Sequence, residues 1–186
     1  MKQLLSKNML YTRKGDDGTS GLLGTKERFP KNSPVYDALG TLDELNSLLG
    51  VCRAHSSHDK DNIAVADEIK NIQERLFIIQ AELAGAPKSI LPEHITELES
   101  TIEKFEMLIE NPHAFVIAGT TELSALFDYA RSVSRRAERR VLDAHLIRKV
   151  SSQTRIYLNR LSSLLYVLAR YTAKEDGEEK ELSPSY

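Results

Sequence analysis

The residues between Tyr11 and Gly24 carry the densest chemical signal in the chain. Gly15, Gly18, Gly21 and Gly24 recur at every third position, in a 186-residue sequence with nine glycines in all. Glycine admits positive φ and brings backbone N–H groups close to a ligand. Successive N–H groups in such conformations make a concave anion site. Thr12, Thr19 and Ser20 add hydroxyl donors, and Arg13, Lys14 and Lys26 add positive charge. Asp16 or Asp17 suits a magnesium ion held partly through water. Together these groups describe a polyphosphate cradle. The G-x-x-x-x-G-K-[ST] spacing of a Walker A loop is absent, and no strand precedes a G-x-G-x-x-G turn. The same stretch also reads as a Gly-rich turn leading into a first helix, and pattern alone leaves both readings open.

A second cluster follows far along the chain. Arg131, Arg135, Arg136, Glu138, Arg139 and Arg140 fall within ten positions. On a helix Arg131, Arg135 and Glu138 share one face. Guanidinium forks match phosphate and carboxylate, although a solvated face laced with Arg–Glu pairs has the same composition. Downstream, Asn159, Ser163, Tyr166 and Arg170 lie on one helical face. An asparagine there caps a neighbouring helix, fixes register, or hydrogen-bonds a ribose or base. Histidine metal ligation is poorly supported. His55, His58, His94, His113 and His145 include one E-x-x-H spacing, Glu110 to His113, and Pro112 interrupts it. No residue is assigned as a metal ligand. The single Cys52 sits in an apolar pattern and reads as core.

These groups need a scaffold, and the apolar periodicity supplies one. Five segments show helical stripes: about 35–54 (Val35, Leu39, Leu42, Leu45, Leu49, Cys52), 65–83 (Val65, Ile69, Ile72, Leu76, Ile79, Leu83) and 92–109 (Ile95, Leu98, Ile102, Phe105, Ile109). The last two span about 121–144 (Leu123, Leu126, Ala130, Val133, Ala137) and 152–172 (Leu158, Leu161, Leu165, Leu168). Gly85-Ala86-Pro87 and Asn111-Pro112 break the pattern, and Gly119 falls in the link to the fourth helix. Only Phe115-Val116-Ile117 hints at a strand. The expected fold is all-α: a five-helix up-and-down bundle over residues 1–173, with residues 1–30 as an N-terminal phosphate loop. Residues 174–186 are polar and read as a flexible tail.

The formal net charge of -2 gives no basic excess for nucleic acid or an anionic membrane. No apolar run reaches the roughly 20 residues of a membrane span. The first ten residues lack both a signal-peptide apolar core and the arginine-rich character of a mitochondrial leader. A cytoplasmic protein is expected.

Four motifs occur in a telling order: Tyr11-Thr-Arg-Lys-Gly-Asp-Asp-Gly-Thr19, Tyr36-Asp-Ala-Leu-Gly-Thr-Leu-Asp-Glu-Leu-Asn-Ser47, Arg131-Ser-Val-Ser-Arg-Arg-Ala-Glu-Arg-Arg140, and Tyr157-Leu-Asn-Arg-Leu-Ser162 with Leu168-Ala-Arg-Tyr171. The set resembles the PduO-type ATP:cob(I)alamin adenosyltransferases from about Tyr11 to Tyr171. The resemblance implies a homotrimer with active sites between subunits. It implies that Thr12, Gly15, Asp16, Gly18, Thr19 and Lys26 wrap the ATP triphosphate, with Arg13 in the family's usual lysine place. Arg135, Glu138 and Asn159 would be further nucleotide contacts. Asp43 and Arg131 would bridge subunits at the active site, and Phe115 would close the lower face of the corrin ring. Lys14, Ala118-Gly119-Thr120 and Ser163 depart from the family pattern, the last replacing a frequent aspartate.

The implied chemistry uses ATP with Mg2+, and cobalamin as substrate. Reduced cobalt attacks C5′ of ATP, triphosphate leaves, and the protein aligns the partners and stabilises charge. A cobalamin reductase and a B12-dependent acceptor enzyme are the implied partners. The change at Ser163 also fits a catalytically weak ATP- and corrinoid-binding module that regulates or delivers the cofactor.

Overall fold

A computed structural model of the chain describes residues 11, 13–22, 26–58, 62–110 and 114–175. Five α-helices dominate: α1 Pro34–His58, α2 Ile63–Ala84, α3 Pro92–Glu106, α4 Glu122–His145 and α5 Ser152–Glu175. The expected stripes are the buried ones. All six predicted α2 positions, Val65 through Leu83, are buried, as are Leu158, Leu161, Leu165 and Leu168 of α5. Each such Leu or Ile contributes about 1.5–3 kcal/mol, against about 1–2 kcal/mol per residue for ordering the backbone. A helix that failed to bury its stripe would therefore not persist.

Cross-helix contacts fix the topology. Arg136 meets Glu44 and Arg140 meets Asp37, so α1 and α4 run antiparallel. Asn159 reaches Glu138 and Arg170 reaches Asp128, so α4 and α5 are antiparallel as well. Arg160 with Glu99, and Lys174 with Leu108, set α3 parallel to α5. The lateral order is α2–α1–α4–α5–α3, with Arg75 of α2 reaching Glu97 of α3. This is the expected up-and-down bundle.

Local sequence explains the helix ends. Gly85 adopts φ 100°, and the N–H groups of Gly85 and Ala86 cap the carbonyls of Glu82 and Ala81 at 2.9 and 2.8 Å, a Schellman turn. Thr121 and Ser124 cap the start of α4 reciprocally at 3.0 and 3.3 Å. The α5 N-terminus is capped from another helix. Glu82 accepts from Ser151 N–H at 2.7 Å and from the Thr154 hydroxyl at 2.5 Å. α3 ends at Glu106, with turns carrying the chain to Ile109.

The sequence reading missed one element. β1 Thr19–Gly21 and β2 Arg28–Pro30 form an antiparallel hairpin with Ser20 opposite Phe29. Three-residue strands are too short to show an alternating pattern. Leu22 is buried in the core and Phe29 packs against it, which pins the hairpin to the bundle. Among the described residues the strands are confined to this hairpin; of Phe115-Val116-Ile117, Val116 alone makes an isolated β-bridge. α5 continues through Glu175, so the first two residues of the expected 174–186 tail are helical, and 176–186 lie outside the described residues.

Candidate active site

The glycine loop precedes and enters the hairpin. Arg13 and Gly18 hold φ 59° and 78°, the left-handed turns that a curled N–H cradle needs. The acceptors inside the curl are already engaged. Asp17 accepts from the Thr19 N–H at 2.9 Å and its hydroxyl at 2.8 Å, and these bonds hold the Asp17 carboxyl below the usual carboxylate range. Arg28 reaches back from β2. Its guanidinium donates to Thr19 Oγ1 at 2.8 Å, to the Thr19 carbonyl at 3.0 Å and to the Lys14 carbonyl. It also faces Asp17 at 3.4 Å.

Between them, Arg28 and Asp17 fix the loop; Asp17, one of the two carboxylates expected to suit magnesium, is engaged inside it, and Arg28 was not among the expected ligand contacts. Asp16 is likewise exposed, and neither Thr19 nor Arg28 holds it. Arg13, Lys14 and Lys26 are exposed on the loop, and Ser20 is half-buried in β1. Lys31 joins them, since a Cβ on Gly15 would come within 2.8 Å of its Nζ. Thr12 and Gly24 lie outside the described residues.

The arginine motif divides between two faces. Arg136 and Arg140 turn towards α1 and pair with Glu44 and Asp37, at 2.5 and 3.6 Å, as a charge-laced helix would. Arg131 and Arg135 face the other way, into a groove of about 1290 Å³ between α3, α4 and α5. Phe115, on the α3–α4 link, stands in this groove with its ring 86% exposed. Ser163 also lines it.

Along α4 the groove wall reads Asp128, Arg131, Arg135, a rise of about 10 Å. Beyond it Glu138 accepts from Asn159 Nδ2 at 3.0 Å, and Asn159 Oδ1 accepts from Arg160 at 2.8 Å. Arg160 in turn meets Glu99 at 3.0 Å. A polar relay thus crosses α4, α5 and α3, and its Arg160–Glu99 end lines the groove. Asn159 stays exposed and retains one N–H for a ligand.

Asp128 and Arg170 were not among the predicted site residues. Arg170 is 1% exposed and pairs with Asp128 across the α4–α5 seam. Burial pushes the Asp128 carboxyl up, and Arg170 and Arg131 oppose that. The Tyr166 ring carries both cations, Arg170 at 5.5 Å and Arg131 at 5.6 Å from its centroid.

Asp43 is exposed on α1, and no ion pair joins it to Arg131 among the described residues. Nor does any described loop residue line the Arg131 groove. Burial pushes the Cys52 thiol up to about 12, which leaves it inert at neutral pH. His94 and His145 turn Nδ1 to the N–H groups of Leu91 and Val150, at 3.2 and 3.1 Å. No trio of metal-ligating side chains occurs among the described residues.

Comparison with known proteins places this architecture. Residues 10–172 match the family model described as cobalamin adenosyltransferase. The corrinoid adenosyltransferase PduO of Salmonella typhimurium is 38% identical over 168 residues, covering 87% of this chain and 48% of that protein. The corrinoid adenosyltransferase MMAB of Homo sapiens is 33% identical over 183 residues, covering 93% of this chain and 72% of that protein. The chain thus spans about half the length of the PduO relatives it matches. A variant PduO-type ATP:corrinoid adenosyltransferase from Lactobacillus reuteri, solved with cobalamin and ATP, superposes with a TM-score of 0.88. It is 26% identical to this chain, with 95% of this chain and 100% of that one covered. The five-helix bundle, its glycine hairpin and its arginine groove belong to a member of the cobalamin adenosyltransferase family.

Proposed function

We propose that this chain transfers the 5′-deoxyadenosyl group of ATP to a reduced corrinoid. The observation that carries this reading is the groove. It holds an aromatic ring, exposed to meet a flat ligand, in the same groove as two arginines that form no ion pair among the described residues. The corrin would lie against Phe115, and the nucleotide would extend towards Arg135, Glu138 and Asn159.

In the reaction cobalt(I) attacks C5′. The Co–C bond forms, the C5′–O5′ bond breaks, and the electron pair departs on triphosphate. Cobalt ends two oxidation levels higher. The protein supplies no nucleophile. Arg135 places a fixed cation where negative charge grows on the leaving oxygen. The loop N–H groups around Gly15 and Gly18, with Thr12, Thr19, Ser20, Arg13, Lys14 and Lys26, hold the rest of the polyphosphate. Glu138 orients Asn159, whose remaining N–H suits a ribose or base acceptor. Phe115 excludes water from the lower face of the corrin.

The donors on the loop suit Mg2+ held mainly by the triphosphate. Asp16 is exposed and, unlike Asp17, is not held by Thr19 and Arg28, and magnesium commonly takes one or two carboxylates with substrate phosphates and water. When bound, that ion neutralises phosphate charge.

The separation of loop and groove supports sites completed between copies. No described loop residue lines the groove, so a neighbouring subunit's loop would deliver the triphosphate to it. Asp43 and Arg131, unpaired with each other in one chain, would then meet across the interface of a homotrimer. Exposed Val51, Phe77, Leu142 and Ile156 give such an assembly apolar surface to bury. A reductase supplying cobalt(I) and an enzyme accepting the product complete the scheme, in a cytoplasmic setting.

A single-turnover assay with chemically reduced cobalamin and Mg-ATP tests the reading by its two products, adenosylcobalamin and triphosphate. Binding of Mg-ATP without either product would replace it with the delivery-module reading that Ser163 favours. A monomer by sedimentation, fully active, would remove the intersubunit site.

A further inference from the structure

Arg170 is the largest fully buried side chain in the chain and the only charged one in the core among the described residues. An up-and-down bundle built on leucine stripes has no structural need for it. Its guanidinium finds one carboxylate, Asp128, itself 17% exposed, while Nε and Nη1 have no acceptor among the described residues. Buried donors without partners weaken a fold, and buried ion pairs are poor stabilisers compared with well-packed apolar residues. An arrangement that costs stability in this way is expected at a working site rather than in a scaffold.

Its neighbours say what the work is. Arg170 lies on the Tyr166 ring, and Arg131 lies on the same ring. Asp128, Tyr166 and Arg131 all line the groove that holds Phe115 and Arg135. Asp128 and Arg131 are also one helical turn apart on α4. The buried pair is therefore linked to Arg131 through the face of Tyr166 and through the α4 backbone.

We infer that Asp128 and Arg170 are positioning residues for adenosyl transfer, a buried pair that locks Tyr166 as a platform and through it sets the angle of Arg131 on the groove wall. This rests on the functional reading above. Neither residue need touch a substrate. Their effect falls on the corrin side of the groove, where Tyr166 and Phe115 stand, and not on the glycine loop that grips the polyphosphate.

The double substitution Asp128→Asn with Arg170→Met removes both charges and keeps the volume. A pair with a purely structural role predicts a folded variant with wild-type kinetics. The positioning role predicts a folded variant whose kcat/KM for reduced cobalamin falls at least tenfold, while KM for ATP stays within twofold. Arg170→Lys gives an independent reading if the double variant is insoluble. It keeps the charge but loses the planar fork that lies on Tyr166, and the same selective loss is expected. Calorimetric binding of oxidised cobalamin, several-fold weaker in either variant, gives a second readout. Variants that fold and keep kcat/KM for the corrinoid within twofold of wild type overturn the inference. Wild-type protein that forms no adenosylcobalamin overturns the functional reading instead, and the inference with it.

Discussion

The glycine loop is held in shape by Arg28, and that dependence is measurable. Arg28→Met keeps the stem and removes the fork. Lost with it are the bonds to Thr19 Oγ1 at 2.8 Å, to the Thr19 carbonyl at 3.0 Å and to the Lys14 carbonyl, together with the contact to Asp17 at 3.4 Å. A buried charged hydrogen bond contributes about 1.5–3 kcal/mol. Here the arginine side chain is 39% and the Asp17 side chain 62% exposed, so screening reduces each contact to a few tenths. The sum is about 1–2 kcal/mol of loop ordering, which ATP binding must then supply. At about 1.4 kcal/mol per tenfold, KM for ATP rises roughly 5- to 30-fold. kcat at saturating ATP stays near wild type, because Arg135 and Phe115 sit in the groove and not on the loop. The melting temperature changes little, since Arg28 contributes nothing to the core. Arg28→Lys should fall close to Arg28→Met, because one ammonium does not span two carbonyls and a hydroxyl. Initial rates against ATP concentration provide the assay. A KM within twofold of wild type in Arg28→Met would refute the claim that this residue shapes the cradle.

Phe115→Ala should slow turnover at least tenfold with the protein's melting unchanged, because the residue is 86% exposed and outside the core. Turnover within twofold of wild type would end its proposed role. Asn159→Ala should raise KM for ATP about tenfold, by roughly 1.4 kcal/mol, as steady-state rates would show. Glu82→Gln should cost about 1–2 kcal/mol in urea unfolding through the lost α5 cap, with the folded fraction fully active. Stability should also fall on acidification. Burial first, then nearby cations, holds His94 and His145 below the ordinary histidine range. The unfolded chain therefore takes up protons that the native state refuses. Their contribution is complete above about pH 6.5 and is lost as pH drops through and below that value. The melting temperature should decline as pH falls below about 6.5, and replacing both histidines with asparagine should flatten the decline.

The bundle was legible because its stripes are long and regular. Val65 to Leu83 keep a four-three spacing that only a helix buries on one side, and Gly85 marks the stop with a left-handed turn. The cradle was legible from glycine spacing, but its internal bracing was not. Arg28 bonds to positions nine and fourteen residues back, through a hairpin with strands too short to advertise themselves. The arginine motif shows the same limit. Periodicity put Arg131 and Arg135 on one face, yet which face meets α1 and which meets the groove is decided by α1 and α5 packing on α4. Asp128 and Arg170 are 42 positions apart and became partners only when α4 and α5 folded antiparallel.

Lys174 donates from Nζ to the Leu108 carbonyl at 2.8 Å, mooring the exit of α5 beside the start of the link that bears Phe115. Any passenger fused after Glu175, whether an affinity handle, a fluorophore or a partner domain, departs beside the link that carries Phe115 and far from the start of α5.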